Sequence, residues 1–304
     1  MPVIFDSDMG PDYDDVGAIT LLHAFADSGQ IKILATVAST KYEGVAAVFN
    51  VLNTYFKRPG ILIGVPKGKA LELKDNQHWT DTLLLRYPHK IKKNDEAVSA
   101  TEAYRRSLAA QPDKSVTIIT VGFLTNLADL LGSSPDKYST LNGRDLVSKK
   151  VKQLVCMAGG FPAGNEFNVR MDASASQYVF NNWPSTPVLF SGVEIGFTIK
   201  TGLPLVNNRS IQNSPVKDVY RISIPMSQQD TAGRMSWDQT AVLIAVKGYQ
   251  PWWKIETGKM IVADNGSNTW SKENSLHSYI IEAQHPSVVQ EFINKLMMHQ
   301  PLRR

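Results

Sequence analysis

Val3-Ile4-Phe5-Asp6-Ser7-Asp8-Met9-Gly10-Pro11-Asp12-Tyr13-Asp14-Asp15 opens the chain with an apolar run that ends in five aspartates within ten residues. Unit charges about 4 Å apart repel by roughly 4 kcal/mol at an effective dielectric near 20, so buried neighbouring carboxylates must protonate or take a counter-ion. A hard divalent cation suits them: Ca²⁺ accepts carboxylates and backbone carbonyls in loose geometry, whereas Mg²⁺ demands a tighter octahedron. A solvated acidic turn is the commoner fate of a charge run. Position argues for the metal instead. Residues 3–5 read as a buried strand, Gly10 and Pro11 break it, and residues 16–26 resume with helical spacing. Acidic groups at the carboxyl end of a strand in an open α/β sheet stand where ligands bind.

Outward from this stretch, β-branched apolar runs recur at 3–5, 31–38, 61–65, 116–121, 152–158 and 187–191. Helical patterns separate them at 14–26, 44–56, 98–110, 124–131 and 173–180, and two more follow at 236–246 and 286–298. This alternation predicts an α/β fold of one domain over 1–304, with a mainly parallel, open twisted sheet flanked by helices. Ser236 is placed to cap the helix that follows it. The polar segments 67–88 and 206–234 read as long excursions of the kind that form lids or binding loops.

The 304 residues are 43% hydrophobic, enough for a full core. Charge is nearly balanced, with 32 basic and 28 acidic residues and a net +4. No basic stripe interleaves with aromatics, so nucleic acid is not expected as a partner. No run of about 18 apolar residues predicts a membrane span. The single cysteine, Cys156, lies in an apolar strand and fits a reducing compartment. Met1-Pro2 runs straight into the first strand, which predicts a cytoplasmic protein; a periplasmic or secreted one would have lost a leader.

Three further segments carry polar residues at element ends. Gly159-Gly160-Phe161-Pro162-Ala163-Gly164-Asn165-Glu166-Phe167-Asn168 follows a strand, and Glu166 and Asn168 present a carboxylate and an amide that suit vicinal hydroxyls. Turn chemistry and helix capping explain the same residues equally well. Thr120-Val121-Gly122-Phe123-Leu124-Thr125-Asn126 ends a strand and enters a helix, where a strand-end carbonyl is a possible metal ligand. In Ser236-Trp237-Asp238, the aspartate opens an apolar helix and complements its dipole.

Considered jointly, these segments resemble the inosine-uridine-type nucleoside hydrolases, a family of Ca²⁺-dependent N-ribohydrolases, across roughly residues 2–300. The acidic motif is the most specific element, followed by Glu166-Phe167-Asn168 with Asp172; Cys156-Met157-Ala158-Gly159-Gly160 and 121–126 match two further strand ends. The resemblance implies that Asp8, Asp15, the carbonyl of Val121 and Asp238 hold Ca²⁺. It implies that Asp8 is also the general base on a Ca²⁺-bound water and that attack inverts C1′. Asp14, Glu166 and Asn168 would contact ribose hydroxyls, Met157 would lie beneath the sugar, and Asp6 would orient the metal ligands. A nucleoside substrate and a homo-oligomer, dimer or tetramer, are implied as well.

Three departures qualify the match. Asp12-Tyr13 is inserted before the paired Asp14-Asp15, and Ser39-Thr40 stands where many members have an asparagine. Trp237 occupies the position of the histidine that protonates the leaving base in inosine-uridine enzymes. An indole cannot act as a general acid, but it stacks on a base for about 1 to 3 kcal/mol, and the purine-specific branch carries a tryptophan there. Purines are therefore slightly favoured, with Trp79 as a candidate second stacking face and His78 as a candidate acid. Two rival readings remain at this level. Residues 3–8 mimic the strand and D-x-D nucleophile of haloacid dehalogenase-like phosphatases, though Gly10 is out of pattern and Asp12, Asp14 and Asp15 are left idle. The other is a non-catalytic Ca²⁺-dependent nucleoside or sugar binding protein.

Overall fold

Strands buried on both faces can exist only between two layers of helix, because each successive side chain needs its own apolar partner surface. In the computed structural model, which describes residues 1–302, β1 (Pro2–Ser7) meets that condition. Val3 and Phe5 pack into one core and Ile4 into a second core on the opposite face of the sheet. Each such side chain contributes about 1.5–3 kcal/mol on full burial.

The remaining strands are β2 (Lys32–Ala38), β3 (Leu62–Val65), β4 (Val98–Ser99), β5 (Val116–Thr120), β6 (Val151–Met157) and β7 (Ala163–Gly164). They continue with β8 (Val188–Ser191), β9 (Lys200–Thr201), β10 (Arg234–Met235), β11 (Trp253–Val262), β12 (Asn268–Ser271) and β13 (His277–Glu282). Eleven of them form one sheet in the order β4-β3-β2-β1-β5-β6-β8-β13-β11-β12-β7, and β9 and β10 pair separately. From β4 to β13 every neighbouring pair is parallel, while β11, β12 and β7 add an antiparallel flank. The fold is thus a single α/β sheet with helices on both faces, as the alternating pattern predicts.

After β1 the chain winds outward through β2, β3 and β4, then returns to build β5, β6 and β8 on the other side of β1. The crevice at that reversal lies beyond the carboxyl ends of β1 and β5, the place where open α/β sheets bind ligands. Register makes it tight. Asp6 is opposite Thr120, Thr120 is opposite Cys156, and the Val121 N–H donates to the Asp6 carbonyl at 2.8 Å. The ends of three parallel strands therefore share one level. Helices Asp14–Asp27 and Trp237–Lys247 begin at this same level, so the positive ends of their dipoles face the acidic residues in their first turns.

The long excursions contain structure of their own, the helices Trp79–Arg86 and Pro215–Ser223. No described helix is long and apolar enough to cross a membrane.

His23, inside helix Asp14–Asp27, is fully buried, stacks on Phe56 at 4.5 Å and touches Asn53 Oδ1 through Nε2 at 3.1 Å. Burial, with the Arg58 charge adding to it, pushes its imidazole down to about 3. Between pH 6.5 and that value the unfolded chain binds a proton that the folded one refuses, so stability must fall as pH falls. Chemical denaturation across pH 7 to 4 should show His23→Gln with an acid limb flatter than wild type by up to about 1.4 kcal/mol per pH unit.

Candidate active site

β1 carries its own polar end into the crevice. After Ser7 the chain turns at Gly10-Pro11, and Asp8, Asp12 and Asp14 line a narrow cleft. Val121, Met157, Glu166, Phe167, Asn168, Val193, Trp237 and Asp238 complete its lining, a mix of polar and apolar groups. Gly122 makes the close approach possible: a Cβ there would stand 2.4 Å from the Asp8 nitrogen and 2.8 Å from Asp8 Oδ1. Only hydrogen fits. A wider groove bounded by Tyr55, Arg86, Tyr87 and Asp218 lies elsewhere and holds no comparable cluster among the described residues.

Crowding sets the electrostatics. Burial, followed by the charge of Asp12, raises the Asp8 carboxyl well above its ordinary range. Asp15 is raised by burial and then by Asp8, and Asp238 by burial and then by Asp14. Carboxyls held that far from their preferred charged state gain most from a bound cation. The donor set suits one. One oxygen each of Asp12, Asp14 and Asp238 lie within 4.8 Å of one another. Asp15 gives one oxygen to the Ser7 hydroxyl, and its buried Oδ2 has no hydrogen-bond partner. Carboxylate and carbonyl oxygens converging from separate elements fit a hard ion that tolerates irregular coordination.

The structure brings Asp8, Asp14, Val121, Met157, Glu166, Asn168, Trp237 and Asp238 to one cleft. Asp15 lies fully buried in the same cluster. The acidic oxygens gathered most closely are those of Asp12, Asp14 and Asp238, which share only Asp238 with the ligand set implied by the resemblance. Glu166 lines the cleft and also serves its own segment's turn. It caps helix Phe167–Met171 by accepting from Asn168 and Val169 N–H at 2.6 and 3.1 Å, and it also takes Gly159 N–H at 3.1 Å. Asn168 donates to the carbonyls of Val121 and Met157 at 3.1 and 3.2 Å, so its amide ties the ends of β5 and β6 together. Asp6 accepts from Tyr104 and Asn126 at 2.8 and 2.9 Å, behind the cleft.

Several expectations are corrected. Trp79 is no stacking face: it is fully buried in the core, its backbone N–H donates to Asp75 Oδ2 at 2.6 Å, and no ring face is open. His78 points away, 77% exposed beside Asp81, and does not line the cleft. Ser236 sits at the N-cap without capping, because its hydroxyl pairs with Thr201 instead at 2.7 Å. Ser39 and Thr40 are spent on Phe123 and on the 71–73 backbone, so neither reaches the cleft.

Arg234 was not legible as a site residue. It sits only 11% exposed behind the cleft and contacts Asp12 and Asp14 at 2.7 and 2.8 Å. A solitary arginine in a polar segment carries little spacing signal: Asp230 lies four positions before it, but Asp12 and Asp14, its shorter contacts, lie more than two hundred positions away.

A family model for inosine-uridine preferring nucleoside hydrolases matches residues 3–288. The pyrimidine-specific ribonucleoside hydrolase RihA of Salmonella paratyphi B is 30% identical over 211 residues, 64% of this chain and 61% of that protein. The chain thus aligns with about three fifths of the length of the curated relatives it matches. Among solved structures, a purine-preferring ribonucleoside hydrolase from Gardnerella vaginalis superposes with TM-score 0.72 at 16% identity over 98% of both chains. An inosine-uridine preferring nucleoside hydrolase from Bacillus anthracis gives 0.72 at 15%, over 98% of this chain and 99% of that one. The low identities establish a shared fold. The phosphatase reading falls away, since the matched model spans the elements on both sides of the cleft, and the chain belongs to the inosine-uridine preferring nucleoside hydrolase family.

Proposed function

We propose that this chain hydrolyses the N-glycosidic bond of a ribonucleoside, with a purine base favoured, to ribose and free base. One observation carries the reading: Asp8, Asp14, Glu166 and Asp238 converge in a single cleft that is also lined by the aromatic ring of Trp237. A ribose needs oxygen acceptors around its hydroxyls, and a purine needs a flat apolar partner.

Ca²⁺ is the proposed cofactor, held by Asp8, Asp15, the Val121 carbonyl and Asp238; bound there, it would supply a Lewis acid that lowers the pKa of a coordinated water. The chain's own groups do the rest. Asp8 lines the cleft beside Gly122 and serves as general base, taking a proton from the attacking water. Glu166, fixed by three backbone N–H donors, offers a carboxylate to a sugar hydroxyl and to the positive charge that develops on the ribosyl ring. Asp14 takes a second hydroxyl, and Met157 packs beneath the sugar. Attack opposite the leaving base inverts C1′. Trp237 donates its indole N–H to the Val193 carbonyl at 2.7 Å, which fixes the ring for stacking.

The test is reducing sugar released from a panel of purine and pyrimidine nucleosides with Ca²⁺ present. Asp8→Ala should lose activity by about 10³-fold or more while remaining folded; near-normal turnover in that variant would defeat the mechanism. Trp237→Ala should cut the purine to pyrimidine ratio of kcat/KM by roughly 5- to 150-fold, the equivalent of 1–3 kcal/mol of stacking. An unchanged ratio would remove Trp237 from specificity. Ca²⁺ at a hundred times its Kd should raise unfolding stability by about 2.7 kcal/mol, reversibly with a chelator, and Asp238→Asn should abolish that gain. Saturable nucleoside binding without sugar release would instead identify a binding protein.

A further inference from the structure

Two parts of the chain have no place in that reading: the inserted dipeptide Asp12-Tyr13 and the excursion that ends on β10. They meet each other. Arg234, the first residue of β10, donates from Nε and Nη2 to Asp14 Oδ1 at 3.1 and 2.8 Å, and its Nη2 lies 2.7 Å from Asp12 Oδ2. Its guanidinium lies over the Tyr13 ring at 4.9 Å and over the Trp237 ring at 5.0 Å. Tyr13 in turn donates to Asp230 at 2.6 Å and meets Tyr220 edge-on at 5.1 Å, both residues of the same excursion. The insertion is a receptor for the returning segment.

Arg234 does not itself line the cleft, but Asp12, Asp14 and Trp237 do. Both Arg234 N–H groups converge on the same oxygen, so the guanidinium clamps Asp14 Oδ1 in place with two charge-assisted bonds. The other oxygen of Asp14 receives the Asp238 N–H at 3.2 Å, so each oxygen has its own anchor and the two together fix the plane of a carboxylate that lines the cleft. The same guanidinium covers a face of Trp237. It therefore sets the separation between a sugar-side carboxylate and a base-side ring.

We infer that Arg234, anchored by the inserted Asp12, is the positioning residue that presets Asp14 and Trp237, and that it thereby governs discrimination at the sugar hydroxyl Asp14 receives. The inference rests on reading the cleft as a nucleoside site. It also has a consequence independent of turnover: the guanidinium charge beside Asp12 and Asp14 opposes the entry of a second cation into the same acidic cluster.

The experiment compares wild type, Arg234→Gln, Arg234→Lys and Asp12→Asn as full chains. Each is assayed on a purine ribonucleoside and its 2′-deoxy and 3′-deoxy counterparts, with thermal unfolding and calorimetric Ca²⁺ titration in parallel. Arg234→Gln should lose about 10²-fold in kcat/KM on the ribonucleoside, as a small misplacement of a positioning group does. The loss should shrink below about fivefold on the one deoxynucleoside that lacks the hydroxyl facing Asp14, since an absent contact cannot be misaligned. Arg234→Lys keeps the charge without the fork, recovers only part, and carries the comparison if the glutamine variant does not fold. Ca²⁺ affinity should rise by about fivefold in Arg234→Gln and fall in Asp12→Asn, as removal of a competing cation or of a nearby anion requires.

A loss shared equally by all three substrates, or a Ca²⁺ affinity unchanged in both variants, overturns the assignment. If wild type releases no sugar from any nucleoside while the Ca²⁺ affinities shift as stated, the hydrolase reading fails and the pairing of Arg234 with Asp12 and Asp14 stands.

Discussion

Mutual repulsion among carboxylates confined at the end of β1 is the constraint on which the crevice depends. Asp8, Asp14, Asp15 and Asp238 are buried within reach of one another's charge, and burial penalises every one of them. The fold offsets this with partial charges that cost it nothing extra: the N-termini of helices Asp14–Asp27 and Trp237–Lys247, the backbone donors around Glu166, and the hydroxyl of Ser7. Helix ends contribute on the order of 1 kcal/mol each, well short of what several crowded carboxylates demand. Full charges are needed, and Arg234 is the one the chain itself brings to Asp14. The remaining deficit is what a divalent ion would satisfy.

That arrangement also explains why the cleft and the sheet topology are inseparable. Three parallel strands end at one level because the register aligns Asp6 with Thr120 and Thr120 with Cys156. The amide of Asn168 then ties the carbonyls of Val121 and Met157 together. A one-residue slip would turn Asp6 and Asp8 toward the opposite face of the sheet. Glycine at position 122 is required by the same geometry, since any side chain would collide with Asp8.

Much of this was readable in the chain. β1, β2, β3, β5, β6 and β8 are apolar, largely buried runs, and such runs need no partner to be recognised. The antiparallel flank escaped for the converse reason: β11 alternates irregularly between buried and exposed positions, so its residues lack both a continuous apolar run and a clean period of two. Trp79 failed as a site residue because a tryptophan in a polar loop looks available until the loop folds onto the core. Ser236 failed as a cap because Thr201 competes for its hydroxyl.

Local order in the sequence was enough to determine that a strand ends in carboxylates, that a helix follows them, and that Asp238 opens a late helix. Those are properties of neighbours, governed by periodicity, turn residues and like-charge repulsion over a few residues. Tertiary structure alone decided the purpose of Asp12. Its partner lies at position 234, on a strand whose approach depends on Tyr13 meeting Tyr220 and Asp230. An ion pair between residues so far apart exists only after the chain has closed upon itself, so no local spacing can announce it.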